Sequence, residues 1–73
     1  MSLHKTTFDY LEPTLDQLAS MKLLREAAKT YAATVEQLSP EGPDKTYALR
    51  KLREIAMWVN VTITRQADGS PRV

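Results

Sequence analysis

Residues 44–65 constrain the fold most, because they combine a helical apolar period with the only tryptophan of the chain. At about 100° per residue, one stripe of apolar side chains covers roughly 120° of a helix surface. The stripe contains Leu49, Leu52, Ile55, Ala56, Val59 and Ile63. The β-branched run 59–64 imitates a strand, but a solitary strand would have no ladder partner. The pattern therefore predicts one long amphipathic helix.

A second apolar patch lies on nearly the opposite side of this predicted helix. It consists of Tyr47, Trp58 and Val61, and Arg65 follows Trp58 on the same line. A helix in a two-helix protein has only one partner of its own, so this second patch predicts contact with another copy of the chain. The length agrees, because 73 residues without cysteine rarely build a core worth more than about 3–5 kcal/mol. We therefore expect a homo-oligomer.

Another helix is predicted to precede this one. Thr14 and Gln17 have the spacing of a capping box, which satisfies free amides at a helix start. Residues 39–43 (SPEGP) end the helix at Leu38 with proline and glycine, and so short a connection predicts antiparallel neighbours. The residues predicted to face the partner helix are Met21, Leu24, Ala28, Tyr31, Val35 and Leu38.

The predicted fold is all-α, an antiparallel two-helix hairpin with an extended N-terminal arm. Pro13 holds the preceding residue out of the helical region and so separates the arm from the first helix. Asp44 is the predicted N-cap of the second helix, and Gly69 is its predicted C-terminal cap. The predicted divisions are residues 1–13 for the arm, 14–68 for the hairpin domain and 69–73 for a frayed C-terminus.

Composition argues against several classes of function. A net charge of +1 is too small for a protein that coats duplex nucleic acid. The chain has no signal peptide and no membrane-length apolar run, so we expect a cytoplasmic protein without a membrane partner. With His4 as the only histidine, no cysteine and no glycine-rich phosphate loop, we expect no metal, no cofactor and no enzymatic activity.

Three cations form a ridge on the first predicted helix. Lys22, Arg25 and Lys29 lie within about 60° of one another on the helical wheel. Arginine offers a phosphate two parallel donors and lysine meets it as a point charge, so the ridge could hold one or two phosphodiesters. The alternative is a solvated face with Glu26 paired to Lys22, which the residues alone favour.

Tyr10 precedes the basic helix on the arm, where its ring could stack on a base while the helix binds the phosphate. The alternative is a hydrophobic staple, in which Tyr10 or Leu11 packs on the first helical turn near Leu15 or Leu18. The residues do not separate these two interpretations.

The second predicted helix carries further cations. Arg50, Lys51 and Arg53 point in different directions, which is typical of a solvated surface with Glu54 paired to Arg50. Arg65 lies near the helix end, where symmetric copies could converge on an anion. The alternatives are a rim arginine for Arg65 and a packed interface anchor, rather than a ligand platform, for Trp58.

The chain resembles the phage anti-CBASS cyclic-nucleotide sponges and the related hairpin domain of other anti-defence sponges. The resemblance covers about Tyr10 to Arg65, and its most specific part is the Ala-Met-Trp-x-Asn core of residues 56–60. The flanking residues that share it are Tyr47-Ala48-Leu49, Lys51-Leu52, Glu54 and Ile63-Thr64-Arg65 on the second helix and residues 21–29 (MKLLREAAK) on the first.

This resemblance implies a homohexamer of helical hairpins that sequesters host cyclic oligonucleotides in the bacterial cytoplasm and is not an enzyme. It implies that Tyr10 stacks on a base of a cyclic dinucleotide while Arg25, with Lys22 and Lys29 nearby, meets a phosphate. In some members a separate threefold site binds cyclic trinucleotides through an arginine that matches Arg65. The chain departs from the family where Arg25 replaces a lysine, and where Val59, Val61 and Thr62 replace small alanines.

Two other functions fit a small helical protein. A DNA-binding regulator would expose a polar and basic recognition helix, whereas the second helix here is apolar on two sides. A purely structural oligomerisation hairpin would assemble without binding any nucleotide.

Overall fold

The hairpin is present in a computed structural model, which describes residues 2–72; Met1 and Val73 lie outside the described residues. Helix α1 spans Leu15–Leu38 and helix α2 spans Pro43–Thr64, and the two pack against each other. The β-branched run 59–64 is helical, as predicted. Neither of these helices has the length and apolarity that a bilayer crossing requires.

The start of α1 is the capping box that the sequence predicts. The amide of Gln17 donates to the hydroxyl of Thr14 at 3.1 Å, and the amide of Thr14 donates to Oε1 of Gln17 at 2.9 Å. The Gln17 side chain also ties the two helices together, because its Nε2 donates to the carbonyls of Ile63 at 3.1 Å and Arg72 at 3.0 Å. One residue therefore caps α1 and holds the end of α2 beside it.

Both caps predicted for α2 are wrong. The N-cap is Gly42 rather than Asp44, because Pro43, with its fixed φ and missing N–H, suits the first helical position and moves the cap two residues earlier. At the other end the chain leaves the helix at Arg65 in an extended conformation, with φ −131° and ψ 152°. Gly69 then closes a turn, donating its amide to the carbonyl of Gln66 at 2.9 Å.

The segment predicted to fray is bonded to the end of α2 over its described part, 69–72. The amide of Gln66 donates to the carbonyl of Ser70 at 2.8 Å, and the amide of Arg72 donates to the carbonyl of Thr64 at 2.7 Å. We call residues 65–72 the C-terminal turn. The arm meets this turn where the amide of His4 donates to the carbonyl of Asp68 at 2.7 Å.

The helices cover each other only along the centre of their apolar stripes. No apolar side chain among residues 2–72 is fully buried. The molecule is 15 Å thick along its shortest axis, close to the roughly 10–12 Å diameter of one helix with side chains. A layer one helix thick cannot enclose a large side chain from all sides. The half-buried contact positions are Met21, Ala28, Ala32, Val35, Leu49, Leu52, Ala56, Val59 and Ile63.

Four side chains predicted to face the partner helix are exposed instead. Tyr31 is 62% exposed, Leu38 74%, Ile55 57% and Leu24 38%. They lie on the flank of each stripe, which a single partner helix does not reach. Together with Trp58 at 62% exposure, they leave large apolar surfaces on both helices that no other part of residues 2–72 covers.

Candidate functional site

A groove between the two helices brings together cations from both of them. Arg25 and Lys29 of α1 and Arg53 of α2 line a concave surface of about 240 Å³, which we call the basic groove. Its remaining lining is apolar and is formed by Ala28, Ala32, Leu49, Leu52 and Ala56. Nearly all of the surface exposed in the groove is apolar, so the three cations border it with their aliphatic stems and keep their charged ends in water. Such a groove suits a ligand that has flat apolar surface and negative charge at its edges.

Small residues keep the basic groove open. Ala28 and Ala32 of α1 and Ala56 of α2 all line the groove, so methyl groups occupy positions where longer side chains would fill the space. Arg25 lies three residues before Ala28, and Lys29 lies three residues before Ala32, which places both cations on the same side of the α1 contact stripe.

The positive charge of the groove is uncompensated. Within residues 2–72, Arg25, Lys29 and Arg53 make no ion pair with a carboxylate. The predicted pairs Glu26 with Lys22 and Glu54 with Arg50 are likewise not formed in this part of the chain, and Glu54 binds Lys51 at 3.2 Å instead. The three cations are therefore available to an anion.

The structure places Lys22 and Arg53 differently from the sequence prediction. Lys22 is exposed on α1 and does not line the groove, whereas Arg53, which we interpreted as a solvated residue, does. The position of Arg53 follows from the antiparallel pairing, which turns its flank of α2 to the same side as Arg25. A helical wheel of α2 alone places Arg53 beside the contact stripe but cannot identify which α1 residues stand opposite.

Tyr10 precedes the N-terminus of α1, away from the basic groove. Its ring is 84% exposed and borders a separate concave surface together with Thr64 and Pro71. Ten residues of helix between Leu15 and Arg25 correspond to about 15 Å along the axis. Within one chain, Tyr10 and Arg25 therefore line different surfaces.

The predicted interface residues are exposed on α2. Trp58 is 62% exposed, Tyr47 63% and Val61 39%. Trp58 and Val61 border a larger concavity of about 510 Å³ that reaches Arg65. Tyr47 does not line it; its ring lies 5.4 Å from the ammonium of Lys51, within the range of a cation–π contact.

Arg65 binds backbone carbonyls of its own chain. Its Nη1 donates to the carbonyls of Thr6 and Gly69, each at 2.7 Å, and its Nη2 donates to the carbonyl of Asp9. The side chain is half-buried between the arm and the C-terminal turn. Three of the five guanidinium donors are thus already used.

The described fold belongs to the class of all-helical two-helix hairpins. Comparisons of the chain with protein-family models, with curated proteins and with solved structures found no match.

Proposed function

We propose that the chain is a phage protein that sequesters cyclic oligonucleotide messengers in the host cytoplasm and so blocks CBASS-type signalling without catalysis. The observation that carries this proposal is the basic groove, which Arg25, Lys29 and Arg53 border and where none of the three pairs with a carboxylate of residues 2–72. The resemblance of residues 10–65 to cyclic-nucleotide sponges identifies the class of ligand.

The chemistry of a cyclic dinucleotide matches this groove. The ligand carries two negative phosphodiesters and two flat bases, so guanidinium groups can bind the phosphates while methyl and leucine side chains cover base or ribose surface. Tyr10, exposed on the arm of a neighbouring chain, stacks on a base. Two copies around a twofold axis would match the symmetry of the ligand.

Self-assembly is part of the proposal. The described residues bury no apolar side chain, while Trp58, Met57 and Ile55 stand more than half exposed on α2. Monomeric proteins rarely leave so much contiguous apolar surface in water, so a second copy is the natural cover. The resemblance implies six copies, and it implies a cyclic trinucleotide site at Arg65 in addition.

Calorimetry with cyclic di-GMP, cyclic di-AMP and cyclic GMP-AMP tests the ligand directly. We expect Arg25→Ala and Arg53→Ala each to weaken the tightest of these at least about tenfold, because a charge-assisted hydrogen bond is worth about 1.5–3 kcal/mol. The matched control is Arg50→Ala, which removes the same charge from α2 away from the groove. Equal losses for Arg50→Ala and Arg53→Ala would reject the groove as the site.

The role of Tyr10 is tested in the same way. Tyr10→Ala is expected to weaken dinucleotide binding about tenfold, because base stacking on an aromatic ring is worth about 1–3 kcal/mol. Phe8→Ala is the control, since Phe8 is another exposed arm ring, at 92% against 84% for Tyr10. An unchanged affinity for Tyr10→Ala would remove Tyr10 from the site.

Light scattering tests the assembly. Trp58→Ala is expected to lower the mass in solution, and Trp58→Phe is expected to keep it, because the phenyl ring retains most of the apolar area. A wild-type mass for Trp58→Ala would place the interface elsewhere. A gel shift with random duplex DNA, or assembly without any nucleotide binding, would instead favour the regulator or the purely structural hairpin.

A further inference from the structure

The two ends of the chain are joined through one side chain. The guanidinium of Arg65 reaches the carbonyls of Thr6 and Asp9, which lie 59 and 56 residues away in sequence. The same guanidinium bonds the carbonyl of Gly69 in the C-terminal turn at 2.7 Å. One planar group thus holds the arm and the turn together.

The arm is folded to present these carbonyls. Its backbone makes two successive tight turns, in which the amide of Thr7 donates to the carbonyl of His4 and the amide of Asp9 donates to the carbonyl of Thr6, both at 3.0 Å. The Thr6 carbonyl therefore accepts from Asp9 and from Arg65 together. The fixed fork of arginine can bind several carbonyls in different directions, whereas the single ammonium of lysine offers no such plane.

Close packing supports the same contact. A Cβ atom built on Gly69 would overlap Oγ1 of Thr7 and lie 3.2 Å from its Cβ, so a side chain at residue 69 would force Thr7 of the arm to move. Gly69 also has a φ of +91°, a conformation that favours glycine. The approach of the arm to the turn thus depends on the absence of a side chain at residue 69.

Apolar contacts do not hold this part of the arm. Phe8, between the two bound carbonyls, is 92% exposed, and Tyr10 is 84% exposed. Because Tyr10 directly follows Asp9, the hydrogen bond from Arg65 to the Asp9 carbonyl fixes the backbone from which the Tyr10 side chain extends. We infer that Arg65 is a positioning residue, which fixes the arm and presents Tyr10 to the ligand; the second half rests on the proposed function.

The free protein tests the first half without any ligand. In Arg65→Gln we expect the bonded arm amides of Thr7 and Asp9 to lose their protection from hydrogen exchange at least about tenfold and the heteronuclear NOE of Tyr10 to fall, while the helical circular dichroism stays unchanged. The control is Arg72→Gln, which removes the same charge from the same end. Arg72 donates its Nε to the carbonyls of Thr62 and Arg65, and its side chain makes no hydrogen bond to the described part of the arm, residues 2–13.

A double-mutant cycle tests the second half with the tightest dinucleotide of the calorimetry panel. Arg65→Gln is expected to weaken binding about tenfold when Tyr10 is present and to have little further effect on Tyr10→Ala, because both changes remove the same contact. We call the hydrogen bonds from the Arg65 guanidinium to the carbonyls of Thr6, Asp9 and Gly69 the clamp. Arg65→Lys keeps the positive charge but removes the planar guanidinium, so the clamp is lost, whereas a direct contact of this charge with a phosphate would largely survive.

Each outcome decides one claim. Unchanged arm exchange in Arg65→Gln overturns the clamp, whether or not any nucleotide binds. Two results would overturn the claim that Arg65 positions Tyr10. One is that Arg65→Gln loosens the arm but weakens binding equally with Tyr10 and with Tyr10→Ala. The other is that Arg65→Lys keeps full affinity. Wild-type protein that binds none of the dinucleotides while its arm depends on Arg65 keeps the clamp and rejects the proposed function alone.

Discussion

Each end of the hairpin is closed by one cation that binds backbone carbonyls, and the two ends differ in how the charge is balanced. At the connection between the helices, the ammonium of Lys45 donates to the Glu36 carbonyl at 3.0 Å and lies 2.6 Å from the Glu41 carboxylate. At the terminal end, Arg65 binds three carbonyls and, within residues 2–72, no carboxylate.

The two cations also differ in how far away in sequence their partners lie. Lys45 is 7% exposed, and its partners lie four and nine residues away. The hydrogen bond that Lys45 donates to the Glu41 carboxylate raises the pKa of Lys45, with burial opposing it and the charge of Glu36 adding to it. Arg65 instead joins segments more than fifty residues apart, so its contacts close a much longer loop of the chain. The connection end is thus built for stability, and the terminal end for positioning the arm.

The largest expected effect comes from breaking the connection end. Lys45→Met should lower the melting temperature by about 10 °C, because it leaves the Glu36 carbonyl without its donor and removes the hydrogen-bonded ion pair with the exposed Glu41 carboxylate. Lys51→Met is the control, since Lys51 also pairs with a carboxylate, Glu54, but at an exposed site. Thermal unfolding followed by circular dichroism measures both, and equal shifts would contradict a special role for Lys45.

A smaller effect is expected at the terminal end. Gly69→Ala should lower the melting temperature by about 5 °C and release the arm, because the new methyl group meets Thr7 Oγ1 and the backbone has a positive φ. Proteolysis of the arm measures the release. Thr7→Ala added to Gly69→Ala removes the Oγ1 contact and should restore part of the loss; no change in either variant would show that the arm does not pack on the turn.

The smallest expected effect is on pH dependence, which should differ between the ends. The hydroxyl and the amide of Ser70 both donate to the Asp68 carboxylate, at 2.6 and 2.9 Å, and lower its pKa, with burial opposing and the charge of His4 assisting. Because the folded pKa is depressed, this contribution is present above the unfolded value of about 3.9 and is lost as pH falls through the folded one.

Lys45 has the opposite sign. Its folded pKa is raised, so its contribution is complete below the unfolded value of about 10.4 and is lost as pH rises through the folded value. Melting curves across pH should show the difference between wild type and Asp68→Asn closing in acid, and that between wild type and Lys45→Met closing in alkali. Differences that stay constant with pH would contradict these assignments.

Much of the fold could be predicted from local pattern. The bounds of α1, the capping box of Thr14 and Gln17, and the helical state of residues 59–64 follow from periodicity and from the turn residues between the helices. The N-cap of α2 was missed because proline at the first helical position outweighed the capping preference of Asp44. Tyr31 and Leu38 are exposed because one partner helix covers only the centre of an apolar stripe. The periodicity of a sequence shows where the stripe lies but not how much of its width is covered.

The candidate site was predictable only in part. The exposed cations Arg25 and Lys29 follow from the helical wheel of α1, but Arg53 joins them through the pairing of two helices. The contacts of Arg65 depend on an arm and a turn that have no periodic pattern, so no wheel could place its guanidinium against Thr6 and Asp9. Long-range backbone hydrogen bonds of this kind leave no local signal in a sequence.

Native mass spectrometry of the chain mixed with a cyclic dinucleotide tests the central claim most directly, because it reports copy number and bound ligand together. The account predicts a species several times the 8.3 kDa chain mass, six copies by resemblance, with one dinucleotide for every two chains. A folded species of 8.3 kDa that carries no nucleotide would contradict it.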